Sequence, residues 1–370
     1  MARYNLTTAL LLLLFSIFSL LGQTTTSLTP PTFSSSSFET WRQLYNKTYT
    51  DKSEERLRRH VYEDNRKFVT GYRDEGSVVL ELGAFADQTH EEFLGTIRRV
   101  GAAGRNKFKG AASYEKNEEI KSSEGMKDGE EMISCERWYG GDGASPSSIN
   151  WQDKGAVTGV LKQTSLCPGN SYAIAALGAV TGQWYQESGR KIAFSEQQVV
   201  DCSRGSGNWG CNFGSAERTY SYIKRNGGIA TRINYPTTGR EGQCRTAVPL
   251  GPTITGCRSV AAGDEKTMKL LVGTVGPVTA VLDISPRSFQ FYKSGVYSER
   301  TCHPPYADHH VLVTGYGTQY DQGLGKVVDY WVVKNCWGTK WGDKGYMRII
   351  RNNYNHCGIA NRVTVPYVDK

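Results

Sequence analysis

The sequence predicts an α+β protein: a charged helical front piece, a soft linker, and a compact body that is helical in its first half and β-rich in its second. Three observations predict it. Over residues 38–69 charge is dense, and Phe38, Trp41, Leu44, Tyr45, Leu57, Val61, Tyr62, Phe68 and Val69 recur at helical spacing. Over 101–148 Gly, Lys, Glu and Ser dominate and apolar residues are sparse. After Pro252, short apolar and β-branched runs bounded by Gly or Asp follow one another, as in a small barrel or sandwich.

In chain order, Arg3 precedes an apolar run over 9–21 and then Gly22-Gln23-Thr24, the plan of a signal peptide over 1–23. The run is short for a membrane span, and no later segment is long and apolar enough, so stable membrane insertion is not expected. Entry to the secretory route agrees with nine cysteines, since disulfides form there. Residues 27–37 are Ser/Thr/Pro-rich and read as a leader. Two helices are expected to separate near 46–51, where Asn46-Lys47-Thr48 is a glycosylation acceptor; a generic helical hairpin would share this pattern. A short strand over 78–85 follows, then a helix capped by Thr89 with Glu92 three residues on. The front piece is set at 38–98, the linker at 99–144, a natural place for proteolytic nicking, and the body at 145–370. The net charge of +8 is spread rather than blocked, which does not read as a nucleic-acid stripe.

The body is organised around 163–180. A Pro/Gly-containing loop runs into Asn170-Ser171, and a small-residue apolar run continues without a breaker until Thr181-Gly182. That is a loop feeding the N-terminus of a buried helix. A nucleophile at such a terminus is favoured as its anion by the dipole and the free N–H groups. Asn and Ser are also the preferred caps, so plain capping explains the pair as well. Helices are expected from the cap Ser195 and over 215–225, and strands over 276–282, 310–316, 330–334 and 345–350. The helical half is set at 145–255 and the β half at 256–370; two unlike halves leave a cleft, a usual place for a site.

Particular residues carry a resemblance. Asn150-Trp151-Gln152-Asp153-Lys154-Gly155-Ala156-Val157-Thr158, Asp308-His309 followed by Gly315-Tyr316-Gly317, and Lys334-Asn335-Cys336-Trp337-Gly338 through Trp341-Gly342 and Gly345-Tyr346 stand in order along the chain. They resemble the papain-like cysteine proteases. The front piece resembles that family's inhibitory propeptide: its interrupted helix motif reads Glu54, Arg58, Tyr62, Asn65 and Val69, with Arg73 where Asn is usual. A later propeptide motif survives as Phe85 and Asp87, with Glu81 and Gly83 replacing its Gly and Asn. The resemblance implies a papain-like fold, with a helical left domain, a β-barrel right domain and a propeptide that inhibits in cis. It also implies peptide-bond hydrolysis without a cofactor, in a monomer that binds peptide or protein substrates between the domains. An acidic vacuole, a lysosome or the extracellular space is the implied location. By matching positions, His309 is the general acid/base, Asn335 orients it, Trp337 shields their hydrogen bond and Gln163 is the oxyanion donor. Gly214 would pair with an extended peptide; Phe213 replaces a Gly there, and His310 stands where small residues line a specificity pocket. The implied disulfides are Cys167–Cys211, Cys202–Cys244 and Cys302–Cys357, leaving Cys135, Cys257 and Cys336.

The departure lies in the central stretch. Tyr172-Ala173-Ile174 aligns with the family's Trp-Ala-Phe, which places Ser171 in the position of the nucleophilic cysteine. Gln163 is then two residues further from the nucleophile than the pattern has it, so the loop carries insertions. A thiol paired with His can rest as an ion pair; a hydroxyl must lose its proton during attack. Activity is therefore expected to be strongly reduced or lost, leaving a non-catalytic peptide- or protein-binding role, or a storage or defence role, as the alternative. Cys167 as nucleophile is the lesser reading, because Pro168 would follow it. Cys336, beside Asn335, is a free thiol near the cleft or a small buried hydrophobe. Cys302, His303, His309 and His310 cluster, but no metal-ligand spacing fits.

Overall fold

Ser37 opens the first helix: its hydroxyl accepts from Thr40 N at 3.3 Å, and α1 runs Phe38–Leu44. Asp51 does the same for α2, Lys52–Gly71, accepting from Ser53 N and Glu54 N. Phe38, Trp41, Val61, Tyr62 and Val69 turn inward; Leu44 and Leu57, at the same spacing, stay exposed. The computed structural model describes residues 37–73, 76–97, 132–141 and 144–369. The expected signal peptide, the Ser/Thr/Pro-rich leader and most of the expected linker lie outside the described residues. Among those described, no helix is long and apolar enough to cross a membrane.

The front piece does not close its own core. Its cluster of Phe38, Trp41, Tyr62, Val69, Leu80, Leu82 and Ala86 is completed by Phe291 from the body. The strand expected over 78–85 contracts to β1, Val79–Leu80, because a turn follows at once: Gly83 N donates to Glu81 O and Ala86 N to Gly83 O. The helix α3, His90–Ile97, has the expected reciprocal cap: Glu92 N donates to the Thr89 hydroxyl at 3.1 Å and Thr89 N to the Glu92 carboxylate at 2.9 Å.

Two short strands come next, β2 (Glu136–Arg137) and β3 (Ile149–Asn150). In the helical half, α4 spans Ser171–Ser188, α5 Glu196–Cys202 and α6 Ala216–Arg225. Ser195 and Ser215 cap the last two with their hydroxyls. The break expected at Thr181-Gly182 does not occur. A Cβ on Gly182 would come within 2.7 Å of Pro277, and one on Gly178 within 2.8 Å of Leu312, so both glycines let the helix lie against the β half. Tertiary contact outweighs their poor helix propensity, and α4 stops at Gly189 in the left-handed conformation. Capping does not explain Asn170: its side chain makes no cap bond, and its Oδ1 is buried without a partner.

The β half begins earlier than the strongest sequence signals, with β4 at Thr253–Ser259. A helix absent from the sequence reading, α7 at Glu265–Thr274, is capped by Asp264 through Thr267 N. Then come β5 (Val278–Leu282), β6 (Tyr292–Ser294), β7 (Val296–Tyr297), β8 (His309–Asp321), β9 (Lys326–Lys334), β10 (Tyr346–Ile350) and β11 (Thr364–Asp369). The main sheet runs β2-β4-β11-β5-β8-β9-β10-β7, with β3 paired on β8. β1 of the front piece pairs antiparallel with β6. The end of the expected linker is built into this sheet, since β2 pairs parallel with β4. Four disulfides are present: Cys167–Cys211, Cys202–Cys244, Cys302–Cys357, and Cys135–Cys257, which joins two of the cysteines left over in the sequence. Cys336 is free and buried.

Candidate active site

Strand β8 from the β half and the head of α4 from the helical half meet between the halves. Ser171 is the first residue of α4, 7% exposed, and its Oγ accepts from His310 N at 3.4 Å. His309 opens β8 and is 2% exposed. Its Nε2 donates to Asn335 Oδ1 at 2.9 Å, which sets the ring's tautomer and tilt. Asn335 follows the end of β9; its Oδ1 also accepts from Cys336 N at 2.8 Å, and its Nδ2 is buried without a partner. The Trp337 ring lies 4.9 Å from the imidazole, centroid to centroid, and is itself buried, so water is kept from this side of the ring.

Gln163 is anchored by its backbone: its N donates to Cys336 O, and Gly338 N donates to Leu161 O beside it. The side chain is also held. Trp337 Nε1 and Cys336 Sγ each donate to Oε1 at 3.0 Å, while Nε2 donates to the Pro168 carbonyl at 2.7 Å. Pro168 stands in the loop expected to carry the insertions. One N–H of the expected oxyanion donor is thus engaged by a neutral acceptor inside the protein.

Cysteine chemistry at this site is restricted on both sides. Cys167 is bridged to Cys211, so its sulfur cannot serve as the nucleophile. Cys336 Sγ lies 3.9 Å from His309 Nε2, but burial pushes its pKa well above the ordinary thiol value and holds it protonated. The same burial acts on Lys334, whose pKa is lowered to about 8 by lost hydration and by Arg232; its Nζ donates to Thr158 O at 2.8 Å. The sequence reading gave Lys334 no role and missed the Gln163–Pro168 bond and the exposed Trp209. The only signals for them were adjacency to Asn335, the loop insertion and the neighbouring Phe213.

The strip expected to pair with a peptide lies close by. Gly214 is required: a Cβ there would meet Asn208 Oδ1 at 2.3 Å and the Tyr172 ring at 2.7 Å. Phe213 is about half exposed and stacks on Trp209, centroids 5.6 Å apart. His310 is half-buried; loss of hydration, with Arg362 nearby, lowers its pKa to about 3 and keeps it neutral. Away from the cleft, His303 sits beside Cys302, whose sulfur is taken by the bridge to Cys357. Asn46 and Thr48 are exposed on the turn between α1 and α2.

Residues 145–367 match the papain family cysteine protease pattern, and residues 38–93 match the cathepsin propeptide inhibitor domain. The chain belongs to the papain family. It is 36% identical over 337 residues to cathepsin L of Sarcophaga peregrina, covering 90% of this chain and 92% of that protein. With human cathepsin L2 the identity is 34% over 334 residues, 89% and 91% of the two chains. Among solved structures, the recombinant stem bromelain precursor superposes with a TM-score of 0.73 at 30% identity, covering 90% of this chain and 98% of that one. Procathepsin L 3 of Tenebrio molitor larval midgut gives 0.70 at 29%, covering 89% and 97%.

In this papain-family zymogen the propeptide sits on the aromatic wall of the site. Phe93 meets the Trp337 ring edge-on at 5.3 Å and Phe85 at 6.1 Å, while Phe289 and Trp341 pack the same indole from the body. Asn65 donates to Ala86 O and Gln88 O and accepts from Arg287 at 2.7 Å, tying α2 to the segment before α3 and to the body. Lys47 pairs with Asp87 at 2.8 Å, and Arg58 reaches Glu92 at 2.8 Å and Asp87 O at 3.2 Å. The motif residues Arg58, Asn65 and Asp87 are therefore joints of the inhibitor domain, while Glu54 accepts from Thr50 N and Oγ1 at 2.7 Å and fixes the start of α2.

Proposed function

We propose that the protein is a secreted papain-family zymogen whose mature body keeps the peptide cleft but hydrolyses peptides weakly or not at all, with Ser171 in the nucleophile position. What supports this is the head of α4, where Ser171 is the first helical residue and the cysteine four residues before it is bridged. His309, oriented by Asn335, would have to take the Ser171 proton during attack rather than share it at rest. A site shaped for sulfur sets a smaller oxygen too far back, and an error of about 1 Å can cost roughly a hundredfold. The Gln163–Pro168 bond weakens the oxyanion side independently, where one working donor is worth roughly 2.7–4 kcal/mol. The cleft still suits an extended peptide, with Gly214 pairing with its backbone, and Phe213 and His310 narrowing the groove beside it. Asn46 is the proposed glycosylation site. The location is the secretory route, ending outside the cell or in a vacuole or lysosome.

The test is hydrolysis of a fluorogenic peptide at acidic pH by the propeptide-free body, beside Ser171→Ala and Ser171→Cys. The expected result is a silent or barely active native form. Cleavage by Ser171→Cys would then show that the His309, Asn335 and Gln163 side is sound. Efficient cleavage by the native form, abolished in Ser171→Ala, would overturn the proposal.

A further inference from the structure

The chain between α3 and the body is not all disposable. We infer that the segment from Ile133 to Trp138 is a permanent strap of the mature body: the cut that frees the propeptide falls before Ile133, and the strap stays behind. This does not depend on whether Ser171 supports catalysis.

The strap is tied to both halves. On the helical side, Ile133 N donates to the Ser221 hydroxyl of α6 at 2.9 Å, and Ile133 and Cys135 pack against the helical core cluster. On the other side, β2 extends the sheet at its edge, with Glu136 opposite Arg258 and Arg137 opposite Ser259. Trp138 N continues the ladder to Ser259 O at 2.8 Å, and the Ser259 hydroxyl donates to Cys135 O at 3.4 Å. The Trp138 side chain packs on the β-half core. Arg258 lies over both the Trp138 and Tyr367 rings and donates to Tyr367 Oη at 2.6 Å, which in turn donates to Glu136 at 3.3 Å. Cys135 is bridged to Cys257 of β4, 122 residues on.

Each hydrogen-bond, sheet and disulfide partner of the strap is a body residue. An inhibitory segment that must leave can be held only by contacts that dissociate, as the front piece is. A segment joined to β4 by a disulfide cannot leave by dissociation. The strap also covers the open edge of β4, which would otherwise present unpaired backbone groups to other chains. After cleavage upstream, the Cys135–Cys257 bridge closes most of the helical half into one loop, the arrangement in which a disulfide restrains the unfolded chain most.

The experiment uses the full chain, secreted through an oxidising host and recovered after processing. Intact mass is measured before and after reduction, with N-terminal sequencing and a non-reduced peptide map. The expected product begins before Ile133 and contains the Cys135–Cys257 cross-link. A product cut before Ile133 and nicked again after Trp138, which sheds a short Cys135 peptide only on reduction, supports the inference equally. A body that begins after Trp138, lacks Cys135 before reduction and carries a free Cys257 thiol overturns it. The double variant Cys135→Ser/Cys257→Ser is expected to melt roughly 5–15 °C lower and to be trimmed toward residue 145. An unchanged terminus in that variant would show that the hydrogen bonds and sheet pairing hold the strap without the bridge and would support the inference, whereas a native product trimmed past Trp138 would overturn it.

Discussion

At Gln163 a single side chain carries three hydrogen bonds, and their directions decide what it can do. Oε1 takes the Trp337 indole and the Cys336 thiol, and Nε2 gives to Pro168 O. A working oxyanion donor needs an N–H aimed at the developing charge before the reaction starts. Here the carboxamide plane is fixed by partners within the protein. In the Ser171→Cys background, Gln163→Ala is therefore expected to lower kcat by less than about tenfold, against the 10²–10³ typical of removing such a donor. A loss in that larger range, measured on the same fluorogenic peptide, would show that the second N–H serves the oxyanion fully. That Ser171 stands at a helix start, and that His309 and Asn335 belong together, was legible in the sequence, because each rests on its neighbours in the chain. The engagement of Gln163 by Pro168 was not, because it depends on how the inserted loop folds back.

At the scale of elements, the propeptide's grip is polar as well as aromatic. Ser77, just before β1, donates from both N (3.1 Å) and Oγ (2.6 Å) to Asp321 at the end of β8. Burial by itself raises the Asp321 pKa, but the bonds from Ser77 and from Leu324 N outweigh it, and the net shift is downward from 3.8. The Ser77 bonds exist only while the propeptide is docked, so the carboxyl is more acidic in the zymogen than in the free body. Docking strength from this contact is complete above the free-body value and declines as pH falls through the lower zymogen value, below about 4. Asp321→Asn is expected to weaken binding of the isolated propeptide to the body about tenfold at neutral pH, since bonds to a charged group are worth roughly 1.5–3 kcal/mol and the amide keeps part of them. It should also flatten the fall in affinity below pH 4. Fluorescence titration from pH 3 to 7 reads both; an unchanged profile would remove Asp321 from the docking account.

Over the whole molecule, two histidines set an acid limit. His310 is held neutral down to about pH 3 by burial and Arg362, and His356 to about 4 by burial, with Glu299 opposing. Both have folded values below the ordinary 6.5, so the unfolded chain binds protons that the native one refuses. Their contribution to stability is whole above pH 6.5 and falls as pH drops toward 4 and 3. The melting temperature of the body should decline across that window, and His310→Gln with His356→Gln should shallow the slope. An equal slope in the double variant would assign acid sensitivity to the carboxylates instead.

What the sequence determined by itself is local. Helical spacing and capping residues placed α1, α2 and α3, apolar β-branched runs placed β5, β8, β9 and β10, and the identity of residue 171 placed a hydroxyl where the resemblance called for a thiol. These follow from nearest-neighbour chemistry, which the chain carries in order. Tertiary structure decided what depends on distant partners. Gly182 passes through α4 because Pro277 needs the space. The two-residue β2 is a strand only because β4 lies beside it. Cys135 becomes part of the body only because folding brings it to Cys257, across 122 residues. Periodicity and propensity act over a few residues, whereas these choices depend on which surfaces the folded chain brings into contact.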